Sequence, residues 1–460
     1  MSAATELRTT GDRQAPSNLS TSSDSHQEHK ETLDLQVEAG RAPSQVDGCS
    51  PLMPPVTLGG ALIYLVSFGL LNTWGTFQAR YSQHELAPHS VDAVAWIGSV
   101  QLFLLFLCGM VVGPATDTFG PKWLLTAGAI LHVLSMVLTS GCTKYFMFLL
   151  IQGFLFGLAN SLLFYPTIWI VNKRFPKKSK GLVLGLVVSA SSLGGIIWPQ
   201  VLNALFDRVG FGWSLRIIAL ISLVCLVVGI TCINAGPSIP SSKSHGRPAS
   251  QSQNRPAVAE PFSSSKSPIF REKPYVLLFV AQTFIMGGSF VPLLLFPQLG
   301  LDIGMTFAHA NNLVTYANAG SLVGRVGAGI AADHIGSLTA STFCSLFTGV
   351  VALAVPAVKT PAGLYIIAPL FGFFSGGLVS LQSACVAATS KTMLDKIGLR
   401  IGVLMSVASI LVLITTPLAG LMAQHVGLKT GYFAGSLCVA GAAFLAVSRW
   451  FISPSIRQPA

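Results

Sequence analysis

The chain is 460 residues long, 51% hydrophobic and only 10% charged, with a mean hydropathy of +0.64. A soluble domain carries about 25% charged residues, so this composition cannot coat a water-soluble globule. It disfavours soluble enzymes, nucleic-acid binders, collagen and secreted disulfide scaffolds. The formal net charge of +11 leaves an anionic partner open until the charges are located.

Residues 1–56 carry four basic side chains (Arg8, Arg13, Lys30, Arg41) against eight acidic ones. The stretch is rich in Ser, Thr, Gln and Glu. It cannot bury enough apolar surface to offset the entropy of ordering, and it reads as a disordered tail. It has no apolar h-region, so a secretory signal peptide is not expected. His26 and His29 read as solvated tail residues.

From residue 56 on, apolar runs of about 20 residues, enough to cross a bilayer as helix, alternate with short polar loops. They predict spans at 57–79, 94–113, 123–142, 145–171, 181–205, 213–235, 275–297, 308–331, 339–358, 363–388, 398–422 and 430–452. Hydrophobicity is continuous rather than alternating, which disfavours a β-barrel. Pro166 in span four predicts a kink or an early exit. The eight cysteines contain no CxxC pair and read as packing residues.

Residues 236–274, with repeated Ser and with Pro237, Pro248, Pro256, Pro261 and Pro268, form a polar linker between spans six and seven. The expected fold class is an all-α polytopic membrane protein, with twelve transmembrane helices in two six-helix repeats. The halves cover 57–235 and 275–452, and 453–460 is a short tail. With the N-terminus cytoplasmic, 21 loop and tail Lys/Arg fall on the cytoplasmic side and five on the other. The asymmetry places both termini in the cytoplasm, and the plasma membrane is the default location. The +11 is thus a topology signal diluted by an acidic tail.

An internal repeat supports the two halves. The stretch after span two reads Gly113-Pro-Ala-Thr-Asp117-Thr-Phe-Gly120, and the one after span eight reads Gly329-Ile-Ala-Ala-Asp333-His-Ile-Gly336. Gly, Asp and Gly recur at an offset of 216 residues. Gly permits a tight turn there. Asp at a helix end either caps a neighbouring helix or pairs with a loop cation.

This repeated loop resembles the signature loop of the major facilitator superfamily. The resemblance implies that Asp117 and Asp333, with Gly113, Gly120, Gly329 and Gly336, gate the transport cycle by bracing the two halves. The second copy departs from the pattern at Ser337. Further stretches resemble the monocarboxylate porter family, most closely its fungal members. They are Phe68-Gly-Leu-Leu-Asn-Thr-Trp-Gly75, Gly181-Leu-Val-Leu-Gly185, Ser189-Ala-Ser-Ser-Leu-Gly194-Gly195, Val209-Gly-Phe-Gly-Trp213, Asn318-Ala-Gly-Ser-Leu-Val-Gly324-Arg325 and Leu370-Phe-Gly-Phe-Phe-Ser-Gly-Gly377. Physically, Gly181/Gly185 and Gly320/Gly324 are small-xxx-small pairs that let helices approach closely.

Arg325 is the sharpest single residue, because a guanidinium at bilayer depth persists where it faces a cavity or a partner. It is read either as a cationic anchor for a carboxylate or as an arginine reaching toward the cytoplasmic face. The proton-coupled animal members carry Arg at the matching position, with an Asp four residues earlier and a Lys in span one. Here those positions are Ser321 and Asn72, which argues against simple lactate–proton symport. His132 is read as a packed, hydrogen-bonded histidine or a proton carrier. Polar and aromatic groups of spans one, four, eight and ten complete the candidate substrate site: Asn72, Tyr165, Asn318, Phe374 and Gln382 with Arg325. No cofactor, metal site or catalytic cluster is expected, and the chain is not read as an enzyme.

The leading expectation is a secondary transporter of a small organic anion, monocarboxylate-like, working by alternating access in a lipid bilayer, with protons as a candidate coupling ion and no nucleic-acid partner. The alternatives are an efflux transporter for a fungal secondary metabolite, favoured by the missing Lys and Asp, and a non-transporting membrane sensor.

Overall fold

A backbone surrounded by hydrocarbon satisfies its N–H and C=O groups within one segment only as a helix, and the predicted apolar runs are helical apart from short breaks such as Thr73, Cys108 and Phe290. The computed structural model describes residues 54–175, 179–235, 272–390, 397–426 and 429–452. Both predicted tails, most of the linker, and the loop cations Lys177, Lys178, Lys391 and Lys396 lie outside them. The described residues all belong to one compact unit, Pro51–Ala460.

Span one is Pro54–Asn72 followed by Trp74–Gln83, and span two is Val91–Leu107 followed by Gly109–Phe119. Span three is Pro121–Thr139. Span four runs from Tyr145 to Arg174, and its irregularity is a π-helical stretch at Leu149–Leu155. Pro166 instead sits inside the regular helix Phe156–Arg174, so the span neither breaks nor exits there as expected. Spans five and six share the stretch Lys180–Ala235, interrupted at Gly210, with φ 76° and ψ 173°. Span seven is Lys273–Ser289 and Val291–Asp302, span eight Phe307–Ile335, span nine Ser337–Ala354, span ten Pro361–Thr389, span eleven Ile397–Val426 and span twelve Thr430–Ile452.

Among the described residues, ten helical stretches are long and apolar enough to cross a membrane. Lys180–Ala235 holds two passages, and the polar-studded Phe307–Ile335 adds another. Counted so, the described residues form twelve helical passages. Gly120 (φ 80°) and Gly336 (φ 87°) reverse the chain after spans two and eight, as Gly210 does between five and six. At their ψ values of 167° and 147° this region of backbone space is open essentially to glycine alone.

Span one packs along spans five and six, span eight along span ten, and span seven along span twelve. The two main junctions between helices from opposite sides of the linker are span five against span eight and span two against span eleven.

Candidate functional site

Both repeated aspartates lie at these junctions. Asp333, at the C-terminal end of span eight, accepts from Gly181 N and Leu182 N, each at 2.8 Å. Asp117, at the end of span two, accepts from Leu399 N at 2.9 Å and Gly398 N at 3.3 Å. Trp169 Nε1 also donates to Asp117 at 2.7 Å. Each carboxylate thus takes the orphan amides at the N-terminus of the facing helix, where the helix dipole favours negative charge.

The four glycines of the repeat divide into two roles. Gly120 and Gly336 make the turns. Gly113 and Gly329, expected in loops, lie within helices: a Cβ on either would run into the carbonyl oxygen of Gly398 or Gly181. Conversely, a Cβ on Gly181 would lie 2.5 Å from Gly329 O, and one on Gly398 2.5 Å from Gly113 O. Only glycine on both sides allows the backbones to meet this closely.

The partners form a second repeat that the sequence reading missed. Gly398-Leu399-Arg400-Ile401-Gly402 echoes Gly181-Leu182-Val183-Leu184-Gly185 at an offset of 217. One residue of difference from the first offset hid it. Arg400, within span eleven, is 1% exposed. Arg400 Nη1 donates to Glu272 Oε2 at 2.7 Å and to Ser390 Oγ at 2.9 Å, and its guanidinium lies over the Tyr275 ring.

Applying the 216 offset, Gly109 of span two matches Arg325 of span eight. The symmetry breaks there. Gly402 packs on the backbone of Gly109 in one junction, whereas Gly185 packs on the backbone of Arg325 in the other, with a guanidinium projecting from it. Arg325 is 4% exposed. Its Nε donates to Ser321 Oγ at 3.1 Å, and Nη1 donates to Val188 O at 2.6 Å and to Ser191 Oγ. The position where an Asp partner was sought, Ser321, instead supplies a hydroxyl that also accepts from Ser192 Oγ at 3.1 Å. Arg325 has no carboxylate partner among the described residues.

Asn72 and Asn318 converge on the same stretch of span five. Asn72 Nδ2 donates to Ser191 O at 3.3 Å, and the Asn318 amide lies over Gly195, where a Cβ would come within 3.0 Å. Three candidates, from spans one and eight, therefore meet around Ser191–Gly195.

The other three point elsewhere. Tyr165 donates to Phe106 O at 2.9 Å, in the break of span two. Phe374 stacks on Phe347 of span nine, with centroids 5.0 Å apart. Gln382 Nε2 lies 3.3 Å from Met286 Sδ of span seven. His132 is fully buried, with Nδ1 3.2 Å from Asn160 Oδ1 and its ring against Phe156.

The break in span two is held from across the junction. Met110 N donates to Ser406 Oγ of span eleven at 2.9 Å, where a continuous helix would direct it to Phe106 O. Ser406 Oγ is itself 3.1 Å from Phe106 O and 2.8 Å from Leu107 O.

These junctions make a bundle whose two sides meet through glycine-lined contacts capped by aspartates, with Arg325 lying there without a carboxylate among the described residues. The comparisons agree with this architecture. Residues 56–394 match the model of the Major Facilitator Superfamily. The chain is 37% identical over 405 residues to the MFS-type transporter pynF of Aspergillus niger, covering 87% of this chain and 88% of that protein. It is 32% identical to the agnestins efflux protein AgnL12 of Paecilomyces divaricatus, covering 86% of each. Its fold is similar to that of the E. coli fucose:proton symporter FucP, with a TM-score of 0.66, 18% identity, and 87% of this chain and 99% of that chain covered. The chain belongs to the Major Facilitator Superfamily.

Proposed function

We propose that this protein exports an acidic fungal secondary metabolite by alternating access. The observation that carries the acidic substrate is Arg325. Among the described residues two arginines are deeply buried; Arg400 is paired with Glu272, while Arg325 is bonded to hydroxyls and a carbonyl without a carboxylate. Burying an unpaired charge is costly, and an anionic substrate would supply the missing partner. The resemblance of spans one, five, eight and ten to the monocarboxylate porter family supports an organic acid. The direction follows the relatives, of which AgnL12 is named an efflux protein; this favours export over the uptake of a nutrient monocarboxylate.

In this reading residues 57–235 and 275–452 are the two rocking halves, joined by the 236–274 linker. Asp117 and Asp333 latch the cytoplasmic gate by capping spans eleven and five. Substrate lies between the halves near Ser191–Gly195, against Arg325, Asn72 and Asn318. The protein resides in the plasma membrane with both termini in the cytoplasm.

The test is a producing strain in which the gene is replaced by Arg325→Ala. Acid in the medium is expected to fall at least tenfold and to accumulate in the cells, with transporter abundance unchanged. Undiminished export would overturn the role of Arg325.

A further inference from the structure

Four tyrosines are buried among the described residues: Tyr64, Tyr81, Tyr165 and Tyr275. Three of their hydroxyls are spoken for. Tyr81 donates to Gln152, Tyr165 to Phe106 O and Tyr275 to Arg400 O. The Tyr64 hydroxyl, in span one, has no hydrogen-bond partner and no contact with solvent. A phenylalanine would fill that place without the cost of an unsatisfied hydroxyl.

The surroundings say what the hydroxyl is for. Tyr64 is 1% exposed, and its ring packs on Phe68 and Phe164, with centroids 6.5 and 5.6 Å away. Gly60 and Gly69 of span one pack on Val187 and Gly194 of span five, so Tyr64, between them, stands level with the Val188–Ser191 stretch to which Arg325 donates. Tyr64, Phe68 and Asn72 are four residues apart in turn, so they form one stripe along span one. The upper end of that stripe, Asn72, reaches Ser191, to which Arg325 also donates. Arg325 uses Nε and Nη1 on protein groups, and Nη2 makes no hydrogen bond among the described residues.

We infer that Tyr64 is a substrate contact: its hydroxyl donates to one oxygen of the substrate's oxyanion, while Arg325 Nη2 donates to another. This deepens the proposed function and rests on its anionic substrate. It narrows the class to acids with two acceptor oxygens held close together, such as carboxylates and enolised β-dicarbonyls. The aromatic faces of Phe68 and Phe164 further favour a planar apolar body.

The experiment uses the purified full-length chain with benzoate and 1-naphthoate as probes, and the variants Tyr64→Phe, Tyr165→Phe and Arg325→Ala. Without ligand, Tyr64→Phe should unfold at the same temperature as the unsubstituted chain or higher, because no bond is lost. Tyr165→Phe should unfold lower. With probe, Tyr64→Phe should bind about tenfold more weakly, as expected for a lost hydrogen bond to a charged group. A ligand-free loss in Tyr64→Phe equal to that of Tyr165→Phe would give the hydroxyl a structural partner and overturn the inference. Undiminished probe binding by Tyr64→Phe, with binding lost in Arg325→Ala, would overturn Tyr64 alone. Undiminished binding by Arg325→Ala, or no binding of either probe by the unsubstituted chain, would overturn the anionic reading and the Tyr64 contact with it.

Discussion

Asp333 accepts a hydrogen bond from the backbone amide of Gly181 at 2.8 Å, across the junction between spans eight and five. Its other oxygen takes the next amide, Leu182 N. The contact joins a helix C-terminus from one side of the linker to a helix N-terminus from the other. Asp117 makes the equivalent contact with Gly398 and Leu399.

If these contacts hold a gate shut, removing the charge should loosen it. Asp333→Asn keeps the shape but loses the carboxylate at the dipole's positive end, worth about 1–2 kcal/mol when it both caps and compensates the dipole. That moves an open–closed equilibrium roughly five- to thirtyfold. A cysteine at Leu182 in an otherwise cysteine-free background should then react correspondingly faster with maleimide. Equal rates in the presence and absence of the Asp333 carboxylate would show that it contributes no closing energy.

Gly113 and Gly120 stand seven residues apart in one motif and should fail differently. Gly113→Ala pushes a methyl into the Gly398 carbonyl, an overpacking cost of about 1–3 kcal/mol felt where the helices touch. Gly120→Ala meets nothing within 4 Å, but holds φ at 80°, a backbone strain of about 1–3 kcal/mol that does not depend on the junction. Gly113→Ala should therefore raise labelling at the junction, whereas Gly120→Ala should lower thermal stability at unchanged labelling. Identical profiles for the two variants would contradict this division.

Ser406 occupies the gap in span two. Ser406→Ala leaves the part-buried Met110 N–H without its acceptor, a cost of about 1 kcal/mol, the low end for an unmet donor. Hydrogen exchange at the Met110 amide should accelerate roughly fivefold, since about 1.4 kcal/mol corresponds to a factor of ten. Unchanged protection would mean that Met110 re-pairs with Phe106 O and that the break owes nothing to span eleven.

Much of the fold was legible because hydrocarbon leaves few choices: an apolar run of bilayer length has to be a helix. The Gly–Asp–Gly repeat was legible because its two copies share one offset. Its internal division was not, since whether a glycine turns the chain or admits a neighbour depends on what stands opposite. Asn72, Asn318 and Arg325 were selected by residue type and do meet around span five. Tyr165, Phe374 and Gln382 were selected in the same way, but their side chains engage Phe106, Phe347 and Met286. Helix rotation separates these outcomes, and spans that are apolar all round carry little periodicity from which to read it.

The sequence by itself determined the helical architecture, the repeat of Asp117 in Asp333, and the presence of Ser321 rather than Asp four residues before Arg325, since each follows from composition or spacing. Only the tertiary structure decided that the aspartates cap helices across the junctions, that Arg400 is buried against Glu272, and that the buried Tyr64 hydroxyl is left unmet. Those facts depend on which helix faces meet, and hydrogen bonds and ion pairs between residues more than a hundred positions apart are set by that packing rather than by local spacing.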